Sequence, residues 1–203
     1  MSDFRSTLSD LLAYCGADFQ DAADRICERY QDFSLLALTD RFVLSELCGE
    51  KYADMIRLLA AVNSRRITDK FKFGVKHTEE EIAQFLLGYY FDSPNERVIA
   101  MPLNFKGYIL AAETVFDGTV NHSEILPRKV LEIMLRHNSK RVILAHNHPR
   151  GSAEASDDDI RTTQNLYHVF SAVSKELVCH YIVSSSEVRK LLPVRSEFEE
   201  SNA

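Results

Sequence analysis

The chain has 203 residues, of which 27% are charged and 45% hydrophobic, and its formal net charge is −6. This length suits one medium domain, or a domain of about 130 residues with an appendage of about 70, and needs neither disulfides nor a structural metal. With 7 glycines and 5 prolines, disorder, collagen and turn-dense all-β folds are disfavoured. No apolar run approaches the roughly 18 residues of a membrane span, and no signal-peptide pattern is present, so we expect a cytoplasmic protein.

The charge balance disfavours nucleic acid as the main ligand. Residues 1–75 carry ten Lys and Arg against twelve Asp and Glu, and residues 76–203 carry fourteen against eighteen. Neither part has the basic excess with which proteins neutralise nucleic-acid phosphates. We therefore expect DNA to be a disfavoured partner.

The four cysteines form no recognisable metal or disulfide pattern. Cys15, Cys27, Cys48 and Cys179 are far apart, and no C-x-x-C pair occurs. Zinc-finger spacing is absent, and disulfides are uncommon in the cytoplasm. We expect buried free thiols.

Helical periodicity dominates the first 74 residues. Apolar side chains recur three and four positions apart, as on one helix face, and capping residues precede the apolar runs. The pattern predicts four short helices: one through Leu8, Leu11, Leu12 and Cys15, one from Asp18 to Arg29, one from Thr39 or Asp40 to about Gly49, and one from about Glu50 to Arg66.

A basic stretch with a single acid follows these helices. Its cationic side chains are Arg65, Arg66, Lys70, Lys72 and Lys76. We interpret the stretch as a solvated linker, as short charge runs usually are, and keep a phosphate-contacting strip as the alternative. The boundary is placed here, between a helical domain of residues 1–74 and a second domain of residues 75–203.

The second domain alternates between helical and extended patterns. It predicts a mixed α/β (α+β) fold in which a central mixed sheet is flanked by helices. The predicted elements are a helix from Thr78, strands at Arg97–Leu103 and Tyr108–Val115 joined by a hairpin turn, a helix from Pro127 to about Asn138, a strand at Arg141–His146, a helix from Ser156 to about Lys175, and strands at Leu177–Val183 and near Val188–Leu192.

Residues 146–159, HNHPRGSAEASDDD, carry the densest set of chemical groups. His146 and His148 lie two positions apart at the end of a strand, so their imidazoles point to the same side. Asp159 lies one turn inside the helix that Ser156 caps, on the side of the cap. Two nitrogens and one carboxylate form a three-ligand catalytic zinc site with a fourth position for water.

Some alternatives within this stretch stay open and others do not. Asp157 and Asp158 compete with Asp159 as ligands, although the helical register favours Asp159. Thr162 and Thr163, one turn further on, are candidates to support the ligands. A nucleoside deaminase would need H-x-E and P-C-x-x-C, and neither occurs.

At these residues the sequence resembles the RadC-like family of JAB/MPN (JAMM) metalloprotease-fold proteins. The family pattern is HNHPSG, then PS, then an Asp three positions beyond that Ser. Here HNHP, Gly151, Ser156 and Asp159 match, whereas Arg150 and Ala155 replace the Ser and the Pro. Weaker matches cover most of residues 78–190: Gly118-Thr119, Pro127-Arg128, Asn138, Thr163, and Cys179-His180 in place of Asp-His.

The resemblance implies a JAB/MPN (deaminase-like) core and zinc-dependent hydrolysis of a peptide or isopeptide bond. The family's chemistry needs an upstream glutamate as general base. Glu113 is the best candidate, because it is an acid in an otherwise apolar predicted strand, where burial would raise its pKa. Glu124 and Asp117 are the alternatives. Ser156 would donate a hydrogen bond to the oxyanion.

The N-terminal segment resembles the family's helix-hairpin-helix module, whose Gly-Ile-Gly turn presents backbone N–H groups to a DNA phosphate. Residues 47–53 occupy that place, with Leu47 instead of the first glycine and Tyr52 instead of a lysine. We expect a degenerate module that does not bind DNA through this turn. The alternatives to a peptide hydrolase are a DNA-associated accessory protein, in repair or mobile-element function, and a non-catalytic metal-binding module.

Overall fold

The computed structural model describes residues 2–14, 19–30, 36, 39–91, 93–118, 126–149 and 151–193. The chain divides into two compact units between Ile67 and Thr68, whereas the sequence analysis places the boundary between residues 74 and 75. No helix in the described ranges is long and apolar enough to cross a membrane. Predictions that fall outside these ranges concern Cys15, Asp18, Thr119, Glu124 and Arg150.

The first unit is helical, as the periodicity predicts. Its core consists of side chains that are at most 8% exposed, including Leu8, Leu12 and Ile26. The Asp40 carboxylate accepts a hydrogen bond from the Phe42 backbone N–H at 2.8 Å and so caps the third helix. The helices are α1 (Ser2–Tyr14), α2 (Phe19–Arg29), α3 (Arg41–Cys48) and α4 (Glu50–Lys70).

The last of these helices changes the interpretation of the basic stretch. Helix α4 continues to Lys70, four residues beyond its predicted end at Arg66. Three of the five cations therefore lie on a helix and not in a linker. Only Lys72 and Lys76 lie in the irregular segment that follows.

The second unit is a mixed five-stranded sheet flanked by helices, which confirms the predicted fold class. The strand order is β2-β1-β3-β4-β5, and only β3 and β4 run parallel. The parallel pair is joined by a helix, as such a crossover requires. The elements are α5 (Glu79–Tyr90), β1 (Arg97–Leu103), β2 (Glu113–Asp117), α6 (Leu126–Arg136), β3 (Arg141–Asn147), α7 (Asp157–Ala172), β4 (Glu176–Val183) and β5 (Val188–Leu191).

The two faces of the sheet pack against different helices. On β3, Ile143 and Ala145 face the cluster that contains α5, while Val142 and Leu144 face the cluster that contains α6 and α7. Side chains alternate along a strand, so His146 at the end of β3 lies on the α6 and α7 face. The strand period therefore determines which helices surround His146.

The second strand begins later than predicted. The sequence pattern predicts a strand over Tyr108–Val115, but β2 begins at Glu113. The Leu110 N–H donates to the Pro102 carbonyl at 2.8 Å, and Pro102 has no N–H with which to return a second bond. The ladder lapses there and resumes where Glu113 pairs with Ala100. Glu113 is thus the first residue of the strand and not one of its last.

The predicted helix starts at Thr78 and Ser156 are confirmed, and each forms a capping box. The Thr78 hydroxyl accepts a hydrogen bond from the Glu81 N–H at 3.2 Å, and the Glu81 carboxylate accepts one from the Thr78 N–H at 2.8 Å. Ser156 and Asp159 exchange the same two bonds at 3.1 and 2.9 Å. A side chain at the third helical position that folds back over its cap has a defined direction.

The described cysteines are free thiols, as expected. Cys48 and Cys179 are buried, and Cys27 is partly buried. Burial raises the pKa of the Cys48 and Cys179 thiols to about 11. Such thiols stay protonated at neutral pH and are unsuited to nucleophilic or metal-binding roles.

Truncation of the central strand tests this packing. Leu144 on β3 is fully buried against α6 and α7. We therefore expect Leu144→Ala to lower the free energy of unfolding by about 2–5 kcal/mol. The control is Leu135→Ala on α6, whose side chain is 67% exposed; it should change stability by less than about 0.5 kcal/mol. Urea unfolding followed by circular dichroism measures both. Equal effects would contradict the assigned core.

Candidate metal centre

His146 and His148 converge because backbone pairing at the end of the central strand β3 holds both of them in strand register. His146 pairs with Val98 on β1 and with Ile182 on β4, so its backbone is flanked on both sides. The His148 N–H donates to the Val183 carbonyl at 2.7 Å, which extends the ladder past the end of β3. Their Nε2 atoms lie 2.9 Å apart. The predicted convergence of the two imidazoles is present.

Asp159 joins them from the first turn of α7. Its Oδ2 accepts hydrogen bonds from the Ser156 N–H at 2.9 Å and from the Ser156 hydroxyl at 2.6 Å. Its Oδ1 lies 3.1 Å from His146 Nε2, and its Oδ2 lies 3.4 Å from His148 Nε2. The cap thus holds Oδ2, which also lies nearest His148, and leaves Oδ1 directed at His146.

These three side chains fit a metal ion. A tetrahedral zinc ion with bonds of about 2.0–2.1 Å spaces its ligand atoms about 3.3 Å apart, close to the 2.9, 3.1 and 3.4 Å seen here. His148 Nδ1–H donates to the Ser152 carbonyl at 2.8 Å, which leaves the Nε2 lone pair free. His146, His148 and Asp159 form a group that could hold a metal; Asp157 and Asp158 are not part of it.

The electrostatics of the group also suit a cation. Burial raises the pKa of Asp159, but the neighbouring His146 and His148 rings outweigh that effect and hold it well below its usual value. The nearby Asp159 carboxylate raises the pKa of His148 against the opposing effect of burial. Asp159 is therefore an anion at neutral pH, directed at two ring nitrogens.

Glu113 does not reach this group, contrary to the expectation that it faces the site. Its carboxylate forms an ion pair with Arg136, at 2.6 Å, and contacts the His137 ring just after α6. Glu113 lies opposite Ala100, two strands and two residues from His146, a separation of about 12 Å. The register of β2 against β1 places Glu113 there. The alternative Asp117 pairs with Arg97 at 2.7 Å.

The glutamate beside the group is Glu96, which the sequence analysis missed. Glu96 lines the same cavity as His146, His148 and Asp159, and its charge contributes to the raised pKa of His148. It precedes β1, whose first residues lie beside the end of β3 because the two strands are antiparallel. The sequence does show an acid directly before a predicted strand. That position points to the metal group only once the pairing of β1 with β3 is known.

Asn147, between the two histidines, holds the segment that carries Glu96. Asn147 Oδ1 accepts a hydrogen bond from the Arg97 N–H at 2.8 Å, and its Nδ2 donates to the Asn95 carbonyl at 3.1 Å. Asn147 is buried, with only 3% of the residue exposed. The two bonds bracket Glu96 on both sides, so the strand that carries the histidines also positions the acid.

The cavity around these groups has a volume of about 190 Å³. A water molecule takes up about 30 Å³, so an ion, a water and part of a substrate fit together. The residues that line it are polar or ionisable, except for Val98. The lining residues are Glu96, Val98, His146, His148, Ser156, Asp158, Asp159, Thr162 and His180.

Comparison with known proteins identifies the family. The family model described as "RadC-like JAB domain" matches residues 76–191. The chain belongs to the RadC-like JAB domain family. It is similar to a "UPF0758 protein" of Janthinobacterium sp. (strain Marseille), 31% identical over 156 residues, or 75% of this chain and 68% of the relative. A "UPF0758 protein" of Enterococcus faecalis (strain ATCC 700802 / V583) is 29% identical over 173 residues, 84% and 75% of the two chains. The recognised resemblance is thereby confirmed, although these names state no activity.

One departure from the RadC-like pattern lies away from the site. Cys179 stands where the family has Asp, next to His180. Cys179 belongs to the cluster on the α5 face of the sheet, whereas His180 lies beside the cavity on the other face. The replacement therefore leaves the metal group unchanged.

His180 and Thr163 stand behind His146 in this RadC-like domain. His180 Nε2 lies 2.8 Å from His146 Nδ1, and His180 Nδ1 lies 2.8 Å from the Thr163 hydroxyl. Burial, and then the neighbouring His146, lower the pKa of His180 to about 3, so this ring is neutral at neutral pH. The sequence analysis named Thr163 as a supporting residue but gave His180 no role.

Metal affinity tests the centre. We expect His148→Ala to weaken zinc binding by more than the roughly 10- to 100-fold that loss of an outer hydrogen-bond partner costs, because it removes a ligand nitrogen. The control is His168→Ala, an exposed histidine on α7 that contacts Gln164, and it should bind zinc as the wild type does. Competition against a chromophoric chelator measures both. Full zinc binding by His148→Ala would refute the ligand assignment.

Proposed function

We propose that this protein is a zinc-dependent hydrolase that cleaves a peptide or isopeptide bond. One observation carries the proposal: the ligand-ready nitrogens of His146 and His148 and the ionised carboxylate of Asp159 share a cavity with a second carboxylate, Glu96. A site that only stored a metal would not need that second acid. Hydrolysis with a metal and a general base uses both.

Each residue has a role in this chemistry. A bound zinc ion would lower the pKa of a water molecule and polarise the scissile carbonyl. His146, His148 and Asp159 would hold the ion. Glu96 replaces Glu113 as the proposed general base: it takes a proton from the attacking water and returns it to the leaving nitrogen.

Ser156 is proposed to donate to the oxyanion that develops on the carbonyl. The hydroxyl lines the cavity, which supports the role. Its proton is directed at Asp159 Oδ2 in this structure, so donation to the substrate requires that bond to be exchanged. Ser156 thus has two duties, one as helix cap and carboxylate support and one toward the substrate.

Two observations favour a peptide-like substrate over DNA: the acidic side chains that line the cavity, and the apolar packing in the first unit where the family has its DNA-binding turn. Glu96 and Asp158 both line the cavity, and acids repel phosphates. Tyr52 is 8% exposed and belongs to the core of the first unit, against which Leu47 also packs. These two side chains stand where the family's DNA-binding turn has a lysine and a glycine, and neither is available to a phosphate. We propose a peptide or protein partner in the cytoplasm.

A matched pair of glutamate variants tests the general base. We expect Glu96→Gln to lower kcat about 10²–10⁴-fold, the usual contribution of a positioned base, and to leave zinc bound because Glu96 is not a ligand. Glu113→Gln, which only breaks the pairs with Arg136 and His137, should hydrolyse at the wild-type rate. The assay follows new amino groups released from a peptide pool and from lysine isopeptides.

The same assay distinguishes the other functions. If zinc-loaded wild type released no amine from either substrate, the domain would be a metal-binding module. If Glu113→Gln abolished hydrolysis and Glu96→Gln did not, the base would be Glu113. Tight, salt-sensitive binding of duplex DNA by the full chain would support the DNA-associated alternative.

The two duties of Ser156 can be separated. Ser156→Ala should cost about 1 kcal/mol of stability through loss of the cap and lower kcat about 10²–10³-fold through loss of the oxyanion donor. Ser156→Thr keeps the hydroxyl and is the control. Denaturation and kcat at saturating zinc give the two numbers. A loss of stability with unchanged kcat would confine Ser156 to the cap.

A further inference from the structure

A continuous line of hydrogen bonds runs behind His146, on the side away from the cavity. It connects four groups: the His146 ring, the His180 ring, the Thr163 hydroxyl and the backbone carbonyl of Asp159. The successive distances are 2.8, 2.8 and 2.6 Å. His146, His180 and Thr163 are each at most 5% exposed. Asp159 contributes a main-chain carbonyl. Bulk water therefore does not compete for the buried hydrogen bonds.

The direction of these bonds follows from the last group. A carbonyl only accepts, so the Thr163 hydroxyl gives its proton to Asp159 O. The hydroxyl oxygen must then accept from His180 Nδ1–H. A neutral ring with its proton on Nδ1 has a lone pair on Nε2, and that lone pair can only accept from His146 Nδ1–H. The backbone of α7 thus determines the tautomer of a histidine on β3.

We propose that Thr163 and His180 are positioning residues that hold His146 in the Nδ1–H tautomer, with its Nε2 lone pair directed into the cavity as a metal ligand. The proposal rests on the proposed metal site and extends it. His148 reaches the same tautomer through a different acceptor, the Ser152 carbonyl. Both ligand rings are therefore oriented by a carbonyl, directly for His148 and through two intermediates for His146.

The arrangement differs from the usual support of a metal-binding histidine by a carboxylate. His180 is an uncharged acceptor, so it orients His146 without adding a negative charge behind the ring. Asp159 also takes part twice, because its carboxylate faces the ion site while its carbonyl ends the line of bonds. Any shift of the first turn of α7 would therefore disturb two ligands together.

The tautomers can be measured without a metal or a substrate. Long-range ¹H–¹⁵N spectra of the metal-free full chain distinguish Nδ1–H from Nε2–H rings, and His146→Gln and His180→Gln assign the two signals among the 7 histidines. We expect Nδ1–H for both His146 and His180. An Nε2–H signal for His146 would overturn the proposal whatever the protein hydrolyses.

Two isosteric variants test the source of this orientation. Thr163→Val keeps the β-branched shape but removes the hydroxyl, so we expect His146 to change to the Nε2–H tautomer and zinc affinity to fall about 10- to 100-fold. Thr163→Ser restores a hydroxyl and should restore both readings. If Thr163→Val and Thr163→Ser give the same spectrum and the same zinc affinity, the hydroxyl does not determine the tautomer and the proposal fails.

A second pair covers the case in which Thr163→Val does not fold. His180→Gln offers an amide oxygen to His146 Nδ1–H, whereas His180→Leu offers no acceptor. We expect His180→Leu to lower zinc affinity more than His180→Gln does. Equal losses of affinity in the two variants would contradict the role of His180. Failure of the hydrolase assay with the expected tautomers and zinc affinities would refute the proposed function alone.

Discussion

The site depends on the folded-back carboxylate of Asp159. As the third residue of α7, it accepts two hydrogen bonds from Ser156 and is thereby directed over the helix start toward His146 and His148. The same two bonds satisfy the cap and align a ligand. A helix N-terminus also favours negative charge, so the carboxylate is stabilised as an anion before any cation arrives. Local helix chemistry and site chemistry are here one set of contacts.

Most of the fold and the metal group could be predicted because their signals are local. Strand alternation places His146 and His148 on one side, and a cap followed three residues later by an acid places Asp159 beside them. Neither inference needs knowledge of a distant contact. The extension of α4 over residues 67–70 and the late start of β2 were missed for a related reason: a weakly patterned segment takes its state from its surroundings, and Pro102 acts on β2 from a neighbouring strand.

The choice between Glu113 and Glu96 as candidate general base shows where local reasoning ends. Glu113 was attractive as an acid in an apolar run, yet its partners are Arg136, the last residue of α6, and His137, just after that helix, and both follow Glu113 in the chain. Glu96 looked like an ordinary acid before a strand. It becomes relevant only because β1 and β3 are antiparallel neighbours and because Asn147 holds the residues on either side of it. No spacing along the chain encodes that pairing.

The central position of β3 explains why so many of these groups meet. A strand with neighbours on both sides has little freedom, and the histidines at its end inherit that rigidity. From there Asn147 reaches toward β1 and the Glu96 segment, and His146 reaches toward His180 on β4. Strand pairing and these side-chain hydrogen bonds therefore determine where the two histidines lie relative to Glu96 and His180.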